Sequence, residues 1–137
     1  ETPCYQQIVS GLIIKLLGYV LAANNHQEFV GTDIEKIIQE VCCIIRQNAT
    51  GDFNFDEVSK DYDISGSHLR KMFKKYTGKS PHQYYLDIKV INAKEALLNT
   101  DKTIKEIAYE MGFESVHYFS RIFKAKTGKT PTRFRNR

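Results

Sequence analysis

Apolar side chains recur along this chain at steps of three and four, and that periodicity predicts helices almost throughout. Over 5–23, Tyr5, Val9, Leu12, Leu16 and Val20 form one stripe, widened by Ile8, Ile13 and Leu17. An N-terminal helix of that pattern needs a surface to cover it. Asn24-Asn25-His26-Gln27 breaks the pattern, so 24–31 reads as a linker. Thr32-Asp33-Ile34-Glu35 has the spacing of a capping box. The helix it opens runs to about Gln47, with Ile34, Ile37, Ile38, Val41, Ile44 and Ile45 inward, and Thr50-Gly51-Asp52 ends it.

From Asn54 onward the pattern occurs twice. Asn54-Phe55-Asp56-Glu57 and Thr103-Ile104-Lys105-Glu106 are both cap-x-x-Glu starts of a short helix. Each is followed by a turn, Tyr62-Asp63-Ile64-Ser65 in one copy and Met111-Gly112-Phe113-Glu114-Ser115 in the other. Gly112 is free to adopt positive φ, and Asp63 tolerates it better than most residues do. Ser65 and Ser115 then cap a second helix. In the first copy Leu69, Met72, Phe73 and Tyr76 point inward, while Ser67, Arg70, Lys71 and Lys74 share the other side. In the second, Phe119, Ile122 and Phe123 point inward, opposite His117, Ser120, Arg121 and Lys124. The copies close on Met72-Phe73-Lys74-Lys75-Tyr76-Thr77-Gly78-Lys79-Ser80-Pro81 and Ile122-Phe123-Lys124-Ala125-Lys126-Thr127-Gly128-Lys129-Thr130-Pro131, identical at six of ten positions. Gly78 and Gly128 suit left-handed helix ends, and each is followed by a cap and a proline.

The resulting architecture is all-α. Two helix-turn-helix units, about 54–80 and 103–130, are joined by a linking helix over about 81–99. That helix has Tyr84, Ile88, Ile91 and Leu98 on one side, with Leu86, Val90, Ala93 and Leu97 on the other. A helix apolar on opposite faces is buried between two things, here the two units, whose separation and mutual angle it fixes.

Charge points to a partner. Residues 1–50 carry three basic and five acidic side chains, whereas 51–137 carry seventeen basic and eleven acidic. Arg70, Lys71, Lys74, Lys75 and Lys79 fall in an acid-free window at 65–81. Arg121, Lys124, Lys126, Lys129, Arg133, Arg135 and Arg137 fall in another at 115–137. One such run is usually a solvated face, but two in equivalent places of a repeat favour a polyanion. Helices that present cations and hydrogen-bonding groups outward suit the major groove of duplex DNA. Arg133, Arg135 and Arg137 are expected on phosphates or in water, and Lys129, at a helix exit, on phosphate.

The chemistry of enzymes finds little support. Cys4, Cys42 and Cys43 are odd in number and lack metal-ligand spacing, and His26, His68, His82 and His117 form no ligand pattern. They predict reduced thiols of an intracellular protein, Cys42 in the core, with no metal and no cofactor. The apolar stretch from Ile8 to Ala23 is short and carries Lys15, which argues against a membrane span. A helix under way soon after Glu1 gives the expectation of a fragment from something longer.

The segment Ile104-x-x-Ile107-Ala108-x-x-Met111-Gly112-Phe113-x-Ser115-x-x-Tyr118-Phe119-Ser120-Arg121-x-Phe123-Lys124-x-x-Thr127-Gly128-x-Thr130-Pro131-x-x-Phe134-Arg135 resembles the DNA-binding domain of the AraC/XylS family of bacterial transcription regulators. Ala93, Lys94 and Leu97 and the weaker first copy extend the resemblance over about 34–137. It departs at Asp63, where a turn glycine is usual, and at Ser59, where alanine is usual. The resemblance implies two recognition helices in successive major-groove segments of a promoter or operator, with Ser67, Arg70, Lys71, His117, Ser120 and Arg121 at base or phosphate. It also implies activation rather than repression, a cytoplasmic, nucleoid-associated protein and contact with RNA polymerase. An upstream sensing or dimerisation domain is implied too, residues 1–31 being its end and 32–137 the DNA-binding domain, with a homodimer formed through the N-terminal helix or that upstream domain.

Two other readings are open to the residues. A helical module could use its basic faces on acidic proteins, and salt dependence with duplex competition separates that from DNA binding. A DNA-repair fusion needs an activated cysteine, which Cys42-Cys43 on an apolar helix do not supply.

Overall fold

A computed structural model of the chain describes Ile13, Leu16, Leu17 and Val20, residues 33–51 and residues 53–136. Seven α-helices and no strand occur among them: α1 (Asp33–Gln47), α2 (Phe55–Asp61), α3 (Gly66–Thr77), α4 (Pro81–Asn99), α5 (Ile104–Glu110), α6 (Val116–Thr127) and α7 (Pro131–Arg135). Ile13, Leu16, Leu17 and Val20 are helical and each is more than half exposed. The rest of the helix expected over 5–23, the linker over 24–31 and the Thr32 cap lie outside the described residues.

The local signals account for the helix ends. Ser65, Ser80, Ser115 and Thr130 each accept a bond from a backbone N–H in the first turn that follows. Gly78 and Gly128 stop α3 and α6 at φ 78° and 79°, in the left-handed region. The repeat extends to single hydrogen bonds. Thr77 Oγ1 donates to the carbonyls of Phe73 and Lys79, and Thr127 Oγ1 does the same to those of Phe123 and Lys129. The two cap-x-x-Glu starts diverge. Thr103 and Glu106 form a full capping box, whereas Asn54 accepts from the Asp56 N–H and its amide binds the Glu57 side chain. The amide of asparagine diverts the glutamate from the backbone, so only the second copy closes the box.

Two cores result. In the first unit Ile38, Val41, Cys42 and Ile45 of α1 pack on Phe55, Leu69 and Phe73. Helix α1 is thus a third wall of that unit. In the second unit Ile107, Ala108, Met111, Phe113, Phe119, Phe123 and Phe134 enclose Val90, Ala93 and Leu97 of α4. Tyr84, Tyr85 and Ile88 of α4 join the first core. The linking helix is therefore two-sided, but over its first half only. Ile91 and Leu98, expected on its first-unit face, are 55% and 52% exposed. The first unit ends level with Ile88, so nothing described covers the two positions beyond it.

Candidate nucleic-acid interface

The outward faces of α3 and α6 carry the residues singled out from the sequence. Ser67, Arg70, Lys71 and Lys74 are exposed on α3, as are His117, Arg121 and Lys124 on α6, with Ser120 partly covered. Leu69, Phe73, Phe119 and Phe123, fully buried on the opposite sides, fix both helices by their rings and branches. The turns before them are held alike. Asp63 takes φ 55° and Gly112 φ 70°, and Ile64 and Phe113 donate backbone bonds to Ser59 and Ala108. Ser59, buried in place of alanine, satisfies its hydroxyl on the Asp56 carbonyl at 2.8 Å.

The two faces differ in how their arginines are held. Arg121 lies over the Tyr118 ring, 5.3 Å from its centroid, and keeps its guanidinium toward solvent. Arg70 is paired, its Nη2 lying 2.5 Å from Asp56 Oδ1 with the guanidinium 5.3 Å from the Phe55 ring centroid. Gly66 leaves room for this pairing as it stands, since a Cβ there would lie 2.7 Å from Asp56 Oδ1. Gly66, the first residue of α3, thus leaves the space that the ion pair occupies.

Other cations of the two basic windows have partners in the fold. Asp87 of α4 accepts from Lys79 Nζ at 2.5 Å through Oδ2 and from Lys126 Nζ through Oδ1. Burial works to raise the Asp87 carboxyl, but the bonds from Lys126 and Lys79 outweigh it and hold it below its usual range. Arg135, expected on phosphate or in water, turns inward and donates Nε to the Leu97 carbonyl at 3.2 Å, near the end of α4. A cation suits the negative end of a helix, which draws Arg135 inward. Among the described residues, Lys71, Lys74, Lys124 and Lys129 have no acidic partner. The acids were invisible in a window count because they come from α2 and α4. The usable signal was a mismatch between copies: Asp56 stands where the second unit has Lys105, and Arg70 where it has Ser120.

Cys42 is buried and Cys43 exposed, both as free thiols, and burial pushes the Cys42 thiol up, away from the reactive thiolate. Among the described residues no group of His, Cys, Asp and Glu could hold a metal. No described helix is long and apolar enough to cross a membrane.

Two tri-helical units with matched, cation-bearing helices on a shared strut define a double helix-turn-helix DNA-binding domain. A family profile described as a helix-turn-helix domain matches residues 58–137, and the chain belongs to this AraC-type family of DNA-binding transcriptional regulators. The C-terminal domain of AraT, a response regulator from Geobacillus stearothermophilus, is similar with a TM-score of 0.71 at 28% identity, covering 77% of this chain and 88% of that one. The C-terminal domain of the two-component response regulator yesN from Fusobacterium nucleatum is similar at 0.66 and 34% identity, covering 76% and 99%. The HTH-type transcriptional regulator YfiF of Bacillus subtilis is 39% identical over 100 residues, covering 73% of this chain. The chain spans 32% of that relative's length.

Proposed function

We propose that the chain is the sequence-specific duplex-binding part of a transcription activator, placing α3 and α6 in successive major-groove segments. The observation that carries this reading is the pair of matched outward faces, Ser67, Arg70, Lys71 and Lys74 on α3 and His117, Ser120, Arg121 and Lys124 on α6, set on one linking helix. Arg121 reads a base edge, and Lys129, beyond the α6 cap, grips phosphate. The whole protein acts in the cytoplasm, engages RNA polymerase once on its promoter, and receives its signal through a part that precedes residue 33. Two of its structural neighbours are response regulators, which supports a signal-receiving partner domain. The stripe Ile13, Leu16, Leu17 and Val20, spaced as a helical seam and exposed, is the contact for a second copy.

Salt titration of duplex binding tests the core of this reading. If ~6–10 phosphates are contacted, affinity falls by ~10³–10⁵ between 50 and 200 mM salt. A flat titration leaves the acidic-protein module as the better account.

A further inference from the structure

The two units meet through more than their shared helix. Lys89 sits on α4 between Leu86 and Val90, within the apolar stripe, and is only 5% exposed. Its Nζ donates to the carbonyl of Gly112, in the turn of the second unit, at 3.0 Å. The same ammonium lies 4.4 Å from the Tyr85 ring centroid and 5.1 Å from that of Phe113. Tyr85 in turn donates its hydroxyl to the Gly51 carbonyl, in the turn that follows α1 in the first unit. One helical turn of α4 therefore holds a tyrosine tied to unit one and a lysine tied to unit two, in contact with each other. At the same place the two backbones touch. A Cβ on Gly112 would lie 2.6 Å from the Thr50 carbonyl oxygen and 3.2 Å from Lys89 Nζ.

We propose that Lys89 is a positioning residue that fixes the angle between the two units, so that the protein interior, rather than its DNA-facing surface, sets the spacing between half-elements that the chain accepts. This inference rests on the two-groove reading above. An ammonium withdrawn from water is tolerated only where fixed dipoles and ring faces replace its hydration. Here those partners are the Gly112 carbonyl and two aromatic faces, drawn from the linking helix and the second unit. Rotating the second unit would take the Gly112 carbonyl and the Phe113 ring away together, so the buried charge favours one geometry. In some proteins buried polar groups contribute specificity of arrangement more than net stability, and the proposal assigns Lys89 that role. Asp87 acts in the same sense on another side of α4, since Lys79 and Lys126 belong to the exits of the two recognition helices.

Two variants test the proposal. Lys89→Met keeps the length and loses the donor; Tyr85→Phe keeps the ring and loses the bond to Gly51. Each is measured on a selected duplex, on that duplex with one base pair inserted between half-elements, and on a duplex carrying the second element alone. One inserted pair turns the second element by roughly 35° and moves it by about 3.4 Å. The wild-type chain is expected to prefer the original spacing by about tenfold or more, and the variants by less than about threefold, with second-element binding unchanged. Amide ¹⁵N relaxation supplies an arm without DNA: wild-type units tumble with one correlation time, and Lys89→Met separates those of α2–α3 and α5–α6. Full spacing discrimination with a single correlation time in both variants overturns the proposal. So does an equal loss on all three duplexes, which would make Lys89 part of one unit's fold. A wild-type chain without any sequence preference would instead refute the two-groove reading, and the relaxation arm would still decide the role of Lys89.

Discussion

The first and second units share a helix order, a positive-φ turn, serine caps and a Thr-Gly-Lys exit with the same hydrogen bonds, yet they present different charge to solvent. In the second, Arg121 rests on a ring and Lys124 and Lys129 have no acid beside them among the described residues. In the first, Asp56 occupies Arg70, and Gly66 leaves the room for it. The units also differ in support: α5 and α6 lean on α4 and α7, whereas α2 and α3 lean on α1 and the first half of α4. A duplicated motif keeps the groups that shape its backbone and varies those on its surface. On the two-groove reading proposed above, the second unit is the stronger electrostatic partner, and the first a unit whose arginine has to leave, or share, an internal acid.

The largest effects should come from the cores. Phe123→Ala opens a cavity among Phe119, Phe134 and α4 and should cost about 3–5 kcal/mol, as should Phe73→Ala in the other core. Because both cores use α4, each variant should still melt in one transition, followed by circular dichroism. Two separated transitions would show that the units fold independently.

A smaller effect separates base reading from phosphate contact in the stronger unit. Arg121→Ala should cost about 1–3 kcal/mol on a selected site and much less on random duplex. Lys129→Ala should weaken both alike and lower the salt slope by about one. Equal losses for the two variants on both duplexes would remove that division of labour.

The smallest effect tests the first unit. The Asp56–Arg70 pair is exposed on both sides, so Asp56→Asn should change stability by less than about 1 kcal/mol. It should nevertheless strengthen binding to random duplex, since an acid leaves the DNA-facing side and Arg70 is released. Weaker binding would mean that Asp56 aims Arg70 rather than holding it back.

Much of this is legible in the sequence. The three-and-four periodicity, the Ser and Thr caps and the Gly78 and Gly128 stops are local signals, and they placed the helices of both units. The inward residues Leu69, Phe73, Phe119 and Phe123 followed, and with them the outward faces. What escaped depends on contacts far apart in the chain. The Arg70 partner sits one helix earlier, and the Lys79 and Lys126 partner lies on the linking helix. The Arg135 acceptor is a helix-end carbonyl 38 residues away, beyond the reach of any local signal. Ile91 and Leu98 stand exposed, and periodicity shows only that a face is apolar and not how far its neighbour extends. The role of Lys89 depends in the same way on a distant partner, the Gly112 carbonyl.

Hydroxyl-radical footprinting on a site selected from random duplex tests most directly whether both helices read DNA together. The account predicts two protected segments about one helical turn apart on the same face of the duplex. A single protected segment, or two on opposite faces, would contradict it.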